Sequence, residues 1–198
     1  MNLPNKITLS RIILIPFVML FYLVPMFPYA KAVALGLFLI ASFTDHLDGH
    51  IARTRGLVTN LGKFLDPIAD KLLTSSVLFM IVADGTVNMY FGIIALTIII
   101  GREFMVAALR QLAASKGVVV AADKLGKIKT VTQMVALTGY LLYALLMTEI
   151  GACLLNTILY WVSNVALGVS VVFTIISGIN YMIKNKSALR DEPKQDNK

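Results

Sequence analysis

Apolar residues run through this chain in six long blocks, near 7–25, 31–53, 62–82, 87–114, 125–147 and 154–183, with short polar connections between them. Each block reaches the ~20 residues that a helix needs to cross a hydrocarbon core. The pattern predicts an all-α integral membrane protein with six transmembrane helices. The apolar character is uneven. The second block is lipid-compatible over "KAVALGLFLIASFT", then continues through Asp45 to Arg53. The third opens on Gly62, Lys63, Asp66 and Asp70 and turns apolar only from Leu72 to Val82. The fourth is apolar from Val87 to Ile100, then carries Arg102, Glu103 and Arg110; the fifth is preceded by Lys124, with Lys127 and Lys129 following. Breakers fit this plan. Pro25 and Pro28 end the first block, and "VADGTVN" and "RTRGLVTN" read as turns. The opening "MNLPNKIT" is expected to lie flat at the interface, since Asn5 and Thr8 sit poorly in hydrocarbon.

Composition agrees with a membrane location. Of 198 residues 58% are hydrophobic and 15% charged, and the mean hydropathy is +0.79, well to the apolar side of soluble domains. The net charge of +7 raises the question of nucleic acid. The basic residues flank the apolar blocks, however, which suits anionic headgroups and phosphorylated substrates instead. Nucleic acid is therefore not expected as a partner. Cys153 is the lone cysteine and forms no internal disulfide. No small-residue cleavage site follows Ile12 to Val24, so the first block reads as a retained span. One membrane domain over 1–184 and a polar, unpatterned tail over 185–198 complete the expected organisation.

Orientation follows from the connections. Lys6 and Arg11, then Arg53, Arg55 and Lys63, then Arg110, Lys116, Lys124, Lys127 and Lys129, and finally the tail lysines alternate with connections that hold only Lys31 as a cation. The positive-inside rule puts both termini in the cytoplasm of a multi-pass, bacterial-type cell-membrane protein. It also puts every polar half-helix at one depth, facing one cytoplasmic cavity.

Four carboxylates inside such helices demand an explanation. Asp45 and Asp48 are three apart and Asp66 and Asp70 four apart, so each pair shares a helix face. One Asp near a helix end is ordinarily a cap or an interfacial charge. Four in spaced pairs cannot all stay ionised in a low dielectric without compensation. Hard oxygen donors suit Mg²⁺ or Mn²⁺, and two such divalent cations can share four carboxylates, the arrangement used for displacement at phosphorus. Gly49, Ala52 and Gly62 leave room for a phosphate or a planar group to approach the backbone, and Arg53 stands at the surface for a phosphate. His46 lies ~100° around the helix from Asp45, and there is no second cysteine, so His46 and His50 read as peripheral rather than as zinc ligands. The nine methionines read as packing or lipid-facing side chains.

From Asp45 to Asp70 the chain spells D-x-x-D-G-x-x-A-R-x8-G-x3-D-x3-D with every defining position filled. This resembles the signature of the CDP-alcohol phosphotransferase family. The resemblance implies a six-helix membrane enzyme, as a rule a homodimer, whose cytoplasm-facing cavity holds two divalent cations. It implies transfer of the phosphatidyl group of CDP-diacylglycerol, or of a related CDP-alcohol, to a second alcohol with release of CMP. By position, Asp45, Asp48, Asp66 and Asp70 would be metal ligands, with Asp70 also the general base. Gly49, Ala52, Arg53, Thr59 and Gly62 would shape the CDP-diacylglycerol site, joined by Asn5, Thr8 and Arg11 from the first helix.

"PNKITLSRIILIPF", "GREFMVAALR" and "LGKIKTVTQM" further resemble the branch that uses glycerol 3-phosphate, the phosphatidylglycerophosphate synthases. The chemistry agrees independently, because a dianionic acceptor needs cations. Arg102, Arg110, Lys127 and Lys129 stand at the right depth to bind its phosphate, although some of them also satisfy the positive-inside pattern, and Glu103 can pair with Arg102. The alternatives are a cardiolipin-forming or phosphatidylinositol-phosphate-forming relative, and, more distantly, a divalent-cation transporter. Against the transporter, nothing ionisable continues through the apolar halves of the helices.

Overall fold

Long apolar stretches broken only by Pro, Gly and polar turns become helices, because hydrocarbon requires every backbone N–H and C=O to be satisfied within its own segment. The computed structural model describes the backbone of residues 3–24, 27–54, 60–115, 124–149, 151 and 153–184, and their side chains except at 3–5, 45–54, 60–61, 63–64, 114–115 and 124. Six helices follow one another: α1 (Leu3–Leu23), α2 (Ala30–Thr54), α3 (Asn60–Ala83), α4 (Met89–Ser115), α5 (Lys124–Glu149) and α6 (Leu154–Lys184). Their bounds fall within a few residues of the apolar blocks. The tail 185–198, Pro25, Lys116 and residues 55–59 of the expected turn lie outside the described residues.

Among the described residues four helices, α1, α4, α5 and α6, are long and apolar enough to cross a membrane. In α2 the described apolar stretch is Ala30–Thr44, and in α3 the charged opening confines the apolar run to the stretch after Lys71. One expectation is corrected. The amino-terminal stretch is not a separate interfacial segment: α1 runs unbroken from Leu3, and Thr8 and Arg11 on it are almost wholly buried. Thr8 is tolerated there because its hydroxyl finds a carboxylate partner within the bundle.

α1 packs against α2 and α3, α5 against α6, and α4 bridges α3 and α6, while α2 and α3 also reach α5. The centre is filled by Phe38, Leu78, Ile81, Leu137, Leu141 and Leu167, all fully buried. α6 is polar inward and apolar outward. Ser163, Ser170, Thr174, Ser177 and Gly178 face the bundle, whereas Ile158, Val165, Val172, Ile179 and Ile183 are exposed. Small inward residues let helices approach closely where lipid supplies no hydrophobic drive for association. Gly139 of α5 abuts Ser163 in this way. An apolar exterior that also includes Phe43, Phe79, Phe104 and Trp161 suits a lipid solvent.

At one end of the bundle the α3–α4 turn uses Gly85 at φ +75, a backbone state that glycine adopts without strain. There Tyr22 Oη donates to Asp84 Oδ2 at 3.1 Å and meets Thr86 Oγ1 at 2.9 Å. Lys31 Nζ lies 3.7 Å from the same carboxylate oxygen and 4.9 Å from the Tyr22 ring centre. The backbone N–H of Tyr29 donates to Glu149 Oε1 at 3.2 Å. The acidic pairs stand at the opposite end.

Candidate active site

α3 carries the described half of the acidic set. Asp66 and Asp70 are one turn apart, ~6 Å along the axis, on one face, and Gly62 is buried a turn earlier. Pro67 between them lacks the N–H that would otherwise bond the carbonyl four residues before it. Thr8 Oγ1 of α1 donates to Asp66 Oδ1 at 2.6 Å. Arg11, three residues on from Thr8, brings a buried guanidinium to the same end of α1. Asp70 Oδ2 accepts from Lys71 Nζ at 2.8 Å, and the Asp70 carbonyl accepts from Thr74 Oγ1 at 3.1 Å.

The remaining nucleotide-site and metal positions are less fully described. Asp45, Asp48, Gly49, Ala52 and Arg53 are helical positions of α2, and Asn5 belongs to α1, but their side chains, with those of His46 and His50, lie outside the described residues. Thr59 lies wholly outside them. Among the described residues no three His, Cys, Asp or Glu side chains gather at one point. The donors present on α3 are nevertheless hard carboxylate oxygens spaced one turn apart, a set that fits a hard divalent cation.

A cluster of charge joins this face to α4 and α5. Glu103 is its hub. One carboxylate oxygen, Oε1, takes Lys129 Nζ of α5 in a short bond and lies 3.5 Å from Arg102 Nη1; the other, Oε2, is 3.0 Å from Lys71 Nζ. Ion pairs therefore run from Asp70 through Lys71 and Glu103 to Lys129, across three helices. Gly178 of α6 makes room for Arg102, since a Cβ there would stand 3.2 Å from Arg102 Cγ. Arg102 Nε and Gln133 Nε2 are buried donors with no hydrogen-bond partner among the described residues. Lys129 and Gln133 are four apart, so both project from one face of α5. Unmet donors beside a surplus of cations leave this end ready for an anion.

Of the four cations expected around the acceptor, the structure brings Arg102 and Lys129 together around Glu103. Arg110 stands apart, donating from Nε to Tyr181 Oη at 3.2 Å, and Lys127 is exposed. The pairing of Glu103 with Arg102 is present, though Glu103 binds Lys129 and Lys71 as well. Lys71 carries no periodic signal, since it lies one residue past Asp70 on a different face. Only its long stem, folding back to the carboxylates, brings it into the site.

The matching family model is described as CDP-alcohol phosphatidyltransferase and covers residues 1–176. The chain is 43% identical over 200 residues to the CDP-diacylglycerol–glycerol-3-phosphate 3-phosphatidyltransferase of Bacillus subtilis (strain 168), covering 96% of this chain and 97% of the relative. It is 38% identical over 180 residues to the enzyme of the same name from Rickettsia bellii (strain RML369-C), covering 91% and 93%. It is also 40% identical over 152 residues to a CMP-forming cardiolipin synthase of Oryza sativa subsp. japonica, covering 70% of this chain and 45% of that protein. With its aspartate signature complete and the family model spanning nearly every helix, this chain belongs to the CDP-alcohol phosphatidyltransferase family.

Proposed function

We propose that this protein transfers the phosphatidyl group of CDP-diacylglycerol to sn-glycerol 3-phosphate, giving phosphatidylglycerophosphate and CMP. The observation that carries the reading is the run of charge from Asp70 to Arg102 and Lys129. A base candidate next to buried cations suits an acceptor that carries both a hydroxyl and a dianionic phosphate. The similarity to two relatives named for this acceptor supports it.

In this reading all six helices span the membrane, with both termini and the active site cytoplasmic. Asp45, Asp48, Asp66 and Asp70 hold two divalent cations, Mg²⁺ or Mn²⁺, which when bound supply charge neutralisation and electrophilic assistance at phosphorus. Gly49, Ala52, Gly62 and Thr59 shape the nucleotide site, and Asn5, Thr8, Arg11 and Arg53 supply polar contacts to the diphosphate. The acyl chains stay in lipid. Arg102 and Lys129 bind the acceptor's phosphate, with Arg110 and Lys127 at the margin. Asp70 takes the proton of the primary hydroxyl as its oxygen attacks the phosphorus that bears the diacylglycerol. The bond from that phosphorus to the bridging oxygen breaks, and CMP departs with the electron pair. The working unit is a homodimer of the 1–184 domain, with 185–198 as a cytoplasmic tail.

A second reading, a cardiolipin synthase, is favoured by the similarity to the rice relative. Its acceptor, phosphatidylglycerol, carries a single phosphodiester charge and has less need of buried cations. A transporter reading is disfavoured because Leu72–Ala83 of α3 and Met89–Gly101 of α4 contain no Asp, Glu, His, Lys or Arg. The test is an acceptor panel. Purified protein receives CDP-diacylglycerol and Mg²⁺ with glycerol 3-phosphate, phosphatidylglycerol, an inositol phosphate or serine. CMP release with glycerol 3-phosphate alone is expected; cardiolipin from phosphatidylglycerol would replace the first reading with the second.

A further inference from the structure

We propose that Lys71 is an acceptor-binding residue, the cation that seats the phosphate of the acceptor beside Asp70. This inference rests on the proposed glycerol-3-phosphate activity and adds a residue that neither the family signature nor the basic half-helices of α4 and α5 single out. Three observations carry it.

The first is position. Lys71 Nζ lies 2.8 Å from Asp70 Oδ2 and 3.0 Å from Glu103 Oε2, so it stands between the proposed base and the Arg102–Lys129 pair. An acceptor whose hydroxyl meets Asp70 while its phosphate meets the buried cations must pass this ammonium. The second is access. The Lys71 side chain is 42% exposed, against 13% for Arg102 and 4% for Lys129. Of the three cations around Glu103, it is the one an incoming anion meets first. The third is charge. Lys71, Arg102 and Lys129 face two carboxylates, Asp70 and Glu103, leaving an excess of one positive charge. An anionic phosphomonoester suits that excess.

The plainer alternative is that Lys71 only neutralises Asp70. A counter-ion of that kind needs no contact with Glu103, and its removal would not discriminate between the two substrates. The structure shows the second contact, and two contacts leave the third ammonium proton of Lys71 for a further acceptor.

Steady-state kinetics of Lys71→Met and Lys71→Arg in the purified protein, varying glycerol 3-phosphate and CDP-diacylglycerol in turn, test this. For Lys71→Met the KM for glycerol 3-phosphate should rise about tenfold or more, the scale of one charge-assisted hydrogen bond. The KM for CDP-diacylglycerol should stay within about twofold, and Lys71→Arg, which keeps the charge, should recover most of the loss. An unchanged KM for glycerol 3-phosphate, or a parallel rise in both constants, overturns the proposal. Should Lys71→Met not accumulate as folded protein, Lys71→Gln is read the same way; failure of both assigns Lys71 to the fold and overturns it too. A wild-type protein inactive towards glycerol 3-phosphate would instead remove the activity on which the proposal stands.

Discussion

The two ends of the bundle hold similar side chains and use them differently. At the Asp84 end, one lysine, one aspartate and two hydroxyls meet one another: Lys31 with Asp84, and Tyr22 with Asp84 and Thr86. These contacts tie α1 and α2 to the α3–α4 turn, and the charges of Lys31 and Asp84 balance. About 27 Å along α3, by helical rise, the Asp66 end holds three cations around one glutamate, with Arg102 Nε and Gln133 Nε2 buried and unpartnered. Unmet donors lower stability unless a ligand satisfies them. Three cations on one glutamate, with two unmet buried donors beside them, therefore mark the working end.

Breaking the comparison at the working end should have the largest effect. Asp70→Asn keeps the shape of the side chain and removes the proton acceptor. Turnover should fall roughly a hundred- to ten-thousandfold, the usual weight of a general base, while the detergent-purified protein unfolds at nearly the wild-type temperature. Substantial residual turnover would take the base assignment away from Asp70. Chelation with EDTA should silence the wild-type protein, and added Mg²⁺ or Mn²⁺ should restore it. Asp84→Asn is the matched control and should leave kcat unaltered, because Asp84 only ties helices together.

Glu103 comes next, and here the readout is stability. Lys129 is 3% exposed and pairs with Glu103, so Glu103→Ala strands a buried ammonium beside two other cations. Removing one partner of a buried ion pair costs about 3–5 kcal/mol, to be seen as a lowered midpoint of thermal or denaturant unfolding in micelles. Tyr22→Phe at the opposite end removes one hydroxyl from a part-buried network and should cost about 1 kcal/mol. If the two losses came out equal, the contrast between a charge hub and a clasp would not hold.

The fold was largely legible because hydrocarbon leaves a chain few choices: apolar blocks near 31–53 and 154–183 became α2 and α6 almost residue for residue. The pairs Asp45–Asp48 and Asp66–Asp70 were legible for a related reason, since helical spacing alone puts each on one face. Three features escaped. Thr8 looks interfacial by composition, yet it is buried, because a hydroxyl-to-carboxylate bond to Asp66 depends on how α1 meets α3. Lys71 falls on the wrong face by periodicity, and only its flexible stem returns it to Asp70. Arg110 resembles Arg102 in sequence, but Tyr181, 71 residues away on α6, draws it aside. Contacts between helices, set by packing rather than by period, decided each case.

The smallest effect sharpens the boundary of the site. Lys127 and Lys129 are two apart on α5, so they point to different sides of the helix. Lys129 is buried against Glu103, whereas Lys127 is exposed to solvent, where salt and water screen its charge. An exposed cation of this kind contributes little to fixed binding. Lys127→Ala should therefore raise the KM for glycerol 3-phosphate only about two- to fivefold, and the increase should shrink as ionic strength rises. Lys129→Ala, tested beside it, should show a larger increase that salt barely alters, because its ammonium is shielded from counter-ions. A salt-sensitive response from both variants would mean that the acceptor reaches this end by long-range attraction and is not seated by a buried cation.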